Sequence, residues 1–343
     1  MTHSGDAHLE LTKCIFCLES KPKSVEHVFP ETIGGTLLIE SVCADCNSWL
    51  GTNVDAALVD HPLILMARAQ LRLPKKDGGL PDVIKKVFNI GSLRDDPNQQ
   101  VLTLTDPETK QLSIKMLYKR TATPHESGGE AVSIIIDKSD ESRIGTIIQR
   151  ERRRAGLTSL TDDELALEVE GIVANNHGTI DKPTVRYSIP IDLIQYQRGL
   201  LKICYELAWR WLGDEFLSDP NAAKIRQCIL CGIPTTPAEI AKTGLRGNFT
   251  IGANIDPFQL WNKEPNSNIG LAMRVGKKIS VGVRIFSTMA GVVCVSENAS
   301  AYQSFGEKEG QFIAIDPTSG ERRETTLAEE TSRIIRAGTS IFP

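Results

Sequence analysis

Two Cys-x-x-Cys pairs, Cys14–Cys17 and Cys43–Cys46, bracket residues 18–42 and constrain this chain more than any other feature. Each pair bends the backbone into a knuckle that turns both sulfurs toward one point, and four thiolates so gathered are the donor set tetrahedral zinc prefers. A segment of ~50 residues has little interior of its own, so a metal would act as its staple. With eight cysteines in the chain, four of them in these tight pairs, structural zinc in a reducing compartment is favoured over disulfides.

The residues inside the bracket carry the chemistry. Residues 24–29, SVEHVF, alternate as a short strand with Glu26 and His27 near its end. Ile33-Gly34-Gly35 turns the chain, and TLLIESV at 36–42 returns as a second strand. Cys46-Asn47-Ser48-Trp49 then opens a helix expected to run to about Asp60, with Asn47 in its first turn facing the strand that holds Glu26 and His27. Asp45 suits the positive end of that helix, and Asp55 is expected on its exposed face, with an outer-shell place beside the site as the alternative. Neighbouring strand residues point to opposite faces, so a kink is needed for Glu26 and His27 to serve one phosphate. Pro30 and the two glycines are the residues expected to permit it.

Cys-x-x-Cys, Glu-His-x-x-Pro, Gly-Gly and Cys-x-x-Cys-Asn, in this order within residues 10–60, resemble the zinc-stapled branch of the HNH endonuclease superfamily, whose fold is the ββα-metal module. The likeness extends more loosely to a downstream helix carrying Lys202, Tyr205, Glu206 and Gly213. It implies a catalytic Mg2+ or Mn2+ held by Glu26 and Asn47, both oxygen donors suited to a hard cation. His27 becomes the general base, since a neutral imidazole can take a proton from water near neutral pH. The family's middle Asn, which helps hold the histidine, has no counterpart in LLIESV; Glu40 or a main-chain carbonyl is left to orient the ring.

The remainder reads as mixed α+β. VLTLT (101–105) and QLSIKMLY (111–118) flank the turn DPETK, and EAVSIII (130–136) is another strand. Helices are expected at 138–156, 161–171 and, longest, 191–213, followed by a β-meander from IGLAMRV, KISVGVRIF and GVVCVSE packed on that long helix. The expected division is a nuclease module at 10–65, a substrate-binding region at 66–190 and a recognition or regulatory domain at 191–343. Net charge is −4, so grip on a polyanion would fall to local basic segments: Arg150, Arg152, Arg153 and Arg154, and Lys75 and Lys76. Cys228-Ile-Leu-Cys231 is expected to be a pair of buried thiols rather than a second metal site. The N-terminus lacks the basic and apolar regions of a secretory signal, and no apolar run reaches the ~18 residues of a membrane span, so a cytoplasmic protein is expected.

These readings converge on a DNA endonuclease with a setting in restriction or phage defence. Cutting both strands with one site per chain would call for a homodimer. The alternative is a non-catalytic zinc-binding module for nucleic acid or protein, with His27 incidental. A third reading is an effector silent until a ligand or protein partner binds its C-terminal part.

Overall fold

The computed structural model describes residues 12–124, 130–175, 178, 183–232, 245–251, 258–306 and 310–337; His125 and His177 lie outside them. Met1–Pro81 and Ile191–Pro343 make one compact unit and Asp82–Pro190 a second, so the first is discontinuous in sequence. The segments expected as separate domains at 10–65 and 191–343 therefore fold together. The physical reason is the size of the zinc-stapled segment: its Ile15, Phe16, Phe29, Val42 and Leu58 join a core with Leu200, Ile203, Leu207, Val281 and Ile313.

In the first unit, strand β1 (Lys23–His27) pairs antiparallel with β2 (Leu38–Cys43), and helix α1 (Ala44–Leu50) follows directly. One π-helical turn, Gly51–Asp55, carries α1 into α2 (Ala56–Val59). Both turn glycines are sterically required. Gly34 has φ +79°, and a Cβ at Gly35 would come within 1.8 Å of the Phe29 carbonyl oxygen.

Helix α3 (Leu193–Leu212) is the axis of the unit, capped at its start by the Asp192 carboxylate. Every residue from Gly199 to Ala208 is buried, so this stretch is covered on all sides. One flank meets the hairpin and α2. Another meets a six-stranded antiparallel sheet, in the order Gly247–Ile251, Met289–Ser296, Lys278–Ile285, Asn268–Val275, Gly310–Ile315 and Arg322–Thr326. The expected meander forms the middle of this sheet. Strand alternation sends Ile313 and Ile315 into the core shared with α3, while Phe312 and Ala314 join a second core with Trp261 and Ile334. Helix Leu327–Arg336 closes that second core.

The second unit holds a four-stranded antiparallel sheet (Val185–Arg186, Ile90–Leu93, Gln100–Thr105, Leu112–Met116) and a separate hairpin of Lys119–Pro124 with Glu130–Ile135. The hairpin expected around DPETK is present with Val101 opposite Met116, its turn tied by Asp106 to the Glu108 and Thr109 amides. Two helices, Ile144–Arg154 and Asp162–Asn175, complete it.

Candidate active site

The four cysteine sulfurs of the two knuckles lie within 4.8 Å of one another. Cys17 Sγ and Cys43 Sγ are 3.9 Å apart, close to the edge of about 3.8 Å that a tetrahedron with ~2.3 Å Zn–S bonds requires. The Cys43 amide donates to Cys14 Sγ at 3.4 Å. Burial raises the Cys14 thiol, but this and neighbouring backbone N–H groups outweigh it and hold the thiol below its usual range. Cys46 is pushed up, by burial and then by the charge of Cys14 beside it. Thiolates that repel one another in this way are relieved by a dication, and the donor set fits zinc. Among the described residues this is the one such cluster. Cys228 is buried as expected, whereas Cys231, at the end of its helix, is exposed.

The hairpin is irregular where the chemistry is expected. Lys23 and Ser24 pair with Cys43 and Val42, but Glu26 and His27 pair with Ile39 and Leu38, one residue out of step. The extra residue lies in β2, where Glu40 and Ser41 stand opposite the single residue Val25, so the bulge falls across from the residue ahead of the acid–histidine pair rather than at Pro30 or the glycines. Beyond it Glu26 is 3% exposed and His27 is half-buried. Asn47, in the first turn of α1, donates its amide to Val25 O at 2.6 Å and to Ser24 Oγ at 2.9 Å. Both hydrogen bonds use the amide nitrogen, and Oδ1 is the other polar end of the side chain. Among the described residues the His27 ring has no hydrogen bond to Glu40, which is exposed, or to a main-chain carbonyl.

Glu26 turns inward to α3. Its Oε1 accepts from Lys202 Nζ at 2.5 Å, and the same ammonium donates to His27 O at 2.9 Å and Asp55 Oδ2 at 3.3 Å. The Glu206 carboxylate stands 3.3 Å away on the next turn of α3. Burial raises the Glu26 carboxyl, with Lys202 opposing it, and burial drives Glu206 far above the carboxylate range. For Lys202, burial works against the charge, but Asp55, Glu206 and Glu26 prevail and hold the amine above its ordinary range. Three acidic side chains, Glu26, Asp55 and Glu206, thus surround one buried ammonium.

Asp55 departs from its expected exposed position: its side chain is 16% exposed and faces Lys202. The π turn adds one residue to the helical repeat and rotates Asp55 inward. In the sequence, Asp55 was no more than an outer-shell candidate, and Lys202 and Glu206 lay on the helix only loosely similar to one downstream in the family, with no role of their own. The available signal was Lys202 and Glu206, four apart, inside the apolar run LLKICYELAW.

Local partners hold five of the six basic residues, and Lys76 is exposed. Lys75 pairs with Asp77 at 3.2 Å. In the second unit Arg150 donates to Tyr118 Oη at 2.6 Å and Arg154 pairs with Glu151 at 2.7 Å, while Arg152 and Arg153 donate to the Thr158 and Gln149 carbonyls. Arg153 and Arg154 remain exposed.

A hairpin clamped by four thiols to the start of a helix, with an acid–histidine pair on its first strand, defines a zinc-stapled ββα-metal module. Residues 14–63 match the family model described as HNH endonuclease, and the four-cysteine cluster within them is consistent with a zinc-stapled HNH module. No curated protein and no solved structure matches the chain. The domain supports a nuclease-type function and interaction with nucleic acid in general terms. Among the described residues no helix is long and apolar enough to cross a membrane.

Proposed function

We propose that the chain is a metal-dependent endonuclease that hydrolyses DNA phosphodiester bonds. The observation carrying this reading is the hydrogen bond from Asn47 to Val25 O, which ties the helix donor to the strand residue next to Glu26 and His27. Asn47 Oδ1 and the Glu26 oxygen not taken by Lys202 would hold Mg2+ or Mn2+, hard cations that favour such donors. When bound, the cation supplies charge neutralisation to the scissile phosphate and the leaving 3′ oxygen. His27 accepts the proton of the attacking water, leaving 5′-phosphate and 3′-hydroxyl ends. Arg153 and Arg154, with Arg150, Arg152, Lys75 and Lys76, are assigned to the phosphate backbone. Restriction or phage defence is the setting that an endonuclease joined to some 280 further residues suggests, by analogy of fold alone. Cutting of both strands would require two copies.

The competing reading is a non-catalytic zinc module, favoured by one observation: Oε1 of Glu26 is already satisfied by an internal lysine. A supercoiled-plasmid assay in Mg2+ or Mn2+ separates them. Nicking by the wild type and not by His27→Ala, at equal zinc content, supports the enzyme. Equal residual cleavage by both proteins supports the binding module. A wild type that cuts only after a cell extract is added would support the gated form of the enzyme.

A further inference from the structure

Lys202 is 0% exposed, in the middle of the all-round buried stretch of α3. An ammonium has three N–H donors. Here they go to Glu26 Oε1, His27 O and Asp55 Oδ2, which leaves both oxygens of buried Glu206 without a hydrogen bond. A buried ion pair is a poor way to gain stability, since apolar side chains of similar volume usually serve as well or better. Yet α3 spends a lysine here, and two of its three hydrogen bonds go to the adjacent residues Glu26 and His27.

We infer that Lys202 is a positioning residue for the nuclease site, supplied to the zinc-stapled module by the distant C-terminal part of the chain. It fixes the Glu26 carboxylate through one oxygen, leaving the other for the cation. It also fixes the main chain of His27, so that acid and base keep a set relation across the strand that separates their side chains. Lys202 itself touches neither substrate nor cation; it acts through residues 26 and 27. The geometry of approach is built for this. Gly199, one turn earlier, lets α3 pack so closely that a Cβ there would meet Leu58 Cβ at 2.8 Å, and α2 is the continuation of the π turn that carries Asp55. This inference rests on the endonuclease reading above.

The test is a double-mutant cycle between Lys202→Met and Glu26→Gln, measuring kcat and KM for plasmid nicking in Mn2+ with zinc content and circular dichroism as controls. Lys202→Met is expected to lower kcat ~10–100-fold, the usual effect of removing a group that orients a metal ligand, with KM for DNA within about twofold. In the Glu26→Gln background the same change should add less than about threefold, because the carboxylate it orients is gone. A folded Lys202→Met with wild-type kcat, or effects that multiply in the double variant, would overturn the inference. If Lys202→Met alone does not fold, the double variant decides, because it removes both charges of the closest contact. Activity equal to Glu26→Gln supports positioning, and a further tenfold loss contradicts it. A wild type no more active than His27→Ala sinks the nuclease reading, and this inference with it, whatever the cycle shows.

Discussion

The hydroxyl of Tyr205 donates to the main-chain carbonyl of Ile15 at 2.5 Å, reaching from α3 into the first zinc knuckle. Arg226 donates to the same hydroxyl at 3.1 Å, and burial pushes the phenol up to about 12, so it stays a donor. Tyr205→Phe should leave a buried carbonyl unpaired and destabilise the first unit by ~1–3 kcal/mol. Urea unfolding followed by circular dichroism gives the value. Zinc content should be unchanged, since all four sulfurs remain.

Loss of the metal should act far beyond the knuckles. Ile15, Phe16 and Val42, around the cysteines, share a core with α3 and the six-stranded sheet. Structural zinc contributes ~10–16 kcal/mol in small fingers, comparable to the whole stability of a domain. Cys43→Ser is expected to abolish zinc binding and to melt hairpin, α3 and sheet together. Chelator-triggered zinc release and the loss of far-UV signal should coincide. A sheet that survives stoichiometric zinc removal would contradict this.

Gly199→Ala tests the close approach of α3 and α2. The added methyl meets the stem of Leu58 rather than a flexible tip, so the helices must separate, at a cost of ~1–3 kcal/mol. Thermal unfolding should show the loss. Nicking activity should fall by more than the stability change explains, because Lys202 lies one turn further on.

Glu330 supplies a pH dependence remote from the site. Burial raises its carboxyl, but hydrogen bonds from Arg333 (2.7 Å), Arg323 (2.9 Å) and Trp261 (2.9 Å) overcome this and hold it down at about 2. A carboxylate whose folded pKa is depressed adds stability that is complete above its unfolded value and lost as pH falls through the folded one. The difference in urea stability between wild type and Glu330→Gln should therefore be full above pH 4.5, on the order of 3 kcal/mol, and close as pH approaches 2. A difference that is flat across this window would contradict the assignment.

How much was legible in the sequence follows from the range of the interactions. The knuckles, the Gly34–Gly35 turn and the place of Asn47 at the start of α1 depend on spacings of a few residues, and the chain states them directly. Helix α3 and the central meander were visible through periodicity. The inward turn of Asp55 was not, because a single π turn shifts the helical phase and no residue in GTNVD announces it. Lys202 meets Glu26 across 176 positions of sequence, a pairing no local pattern encodes. The discontinuous unit was hidden for the same reason: the apolar face of the hairpin does not say that its cover arrives after an intervening domain.

The most direct measurement is anomalous diffraction from crystals soaked with Mn2+ and a short DNA duplex. The expected result is one manganese peak contacting Asn47 and the Glu26 oxygen not bonded to Lys202, with the His27 ring facing the phosphate. Manganese bound elsewhere, with Glu26 closed on Lys202 and the three side chains turned away from a common point, would contradict the central claim.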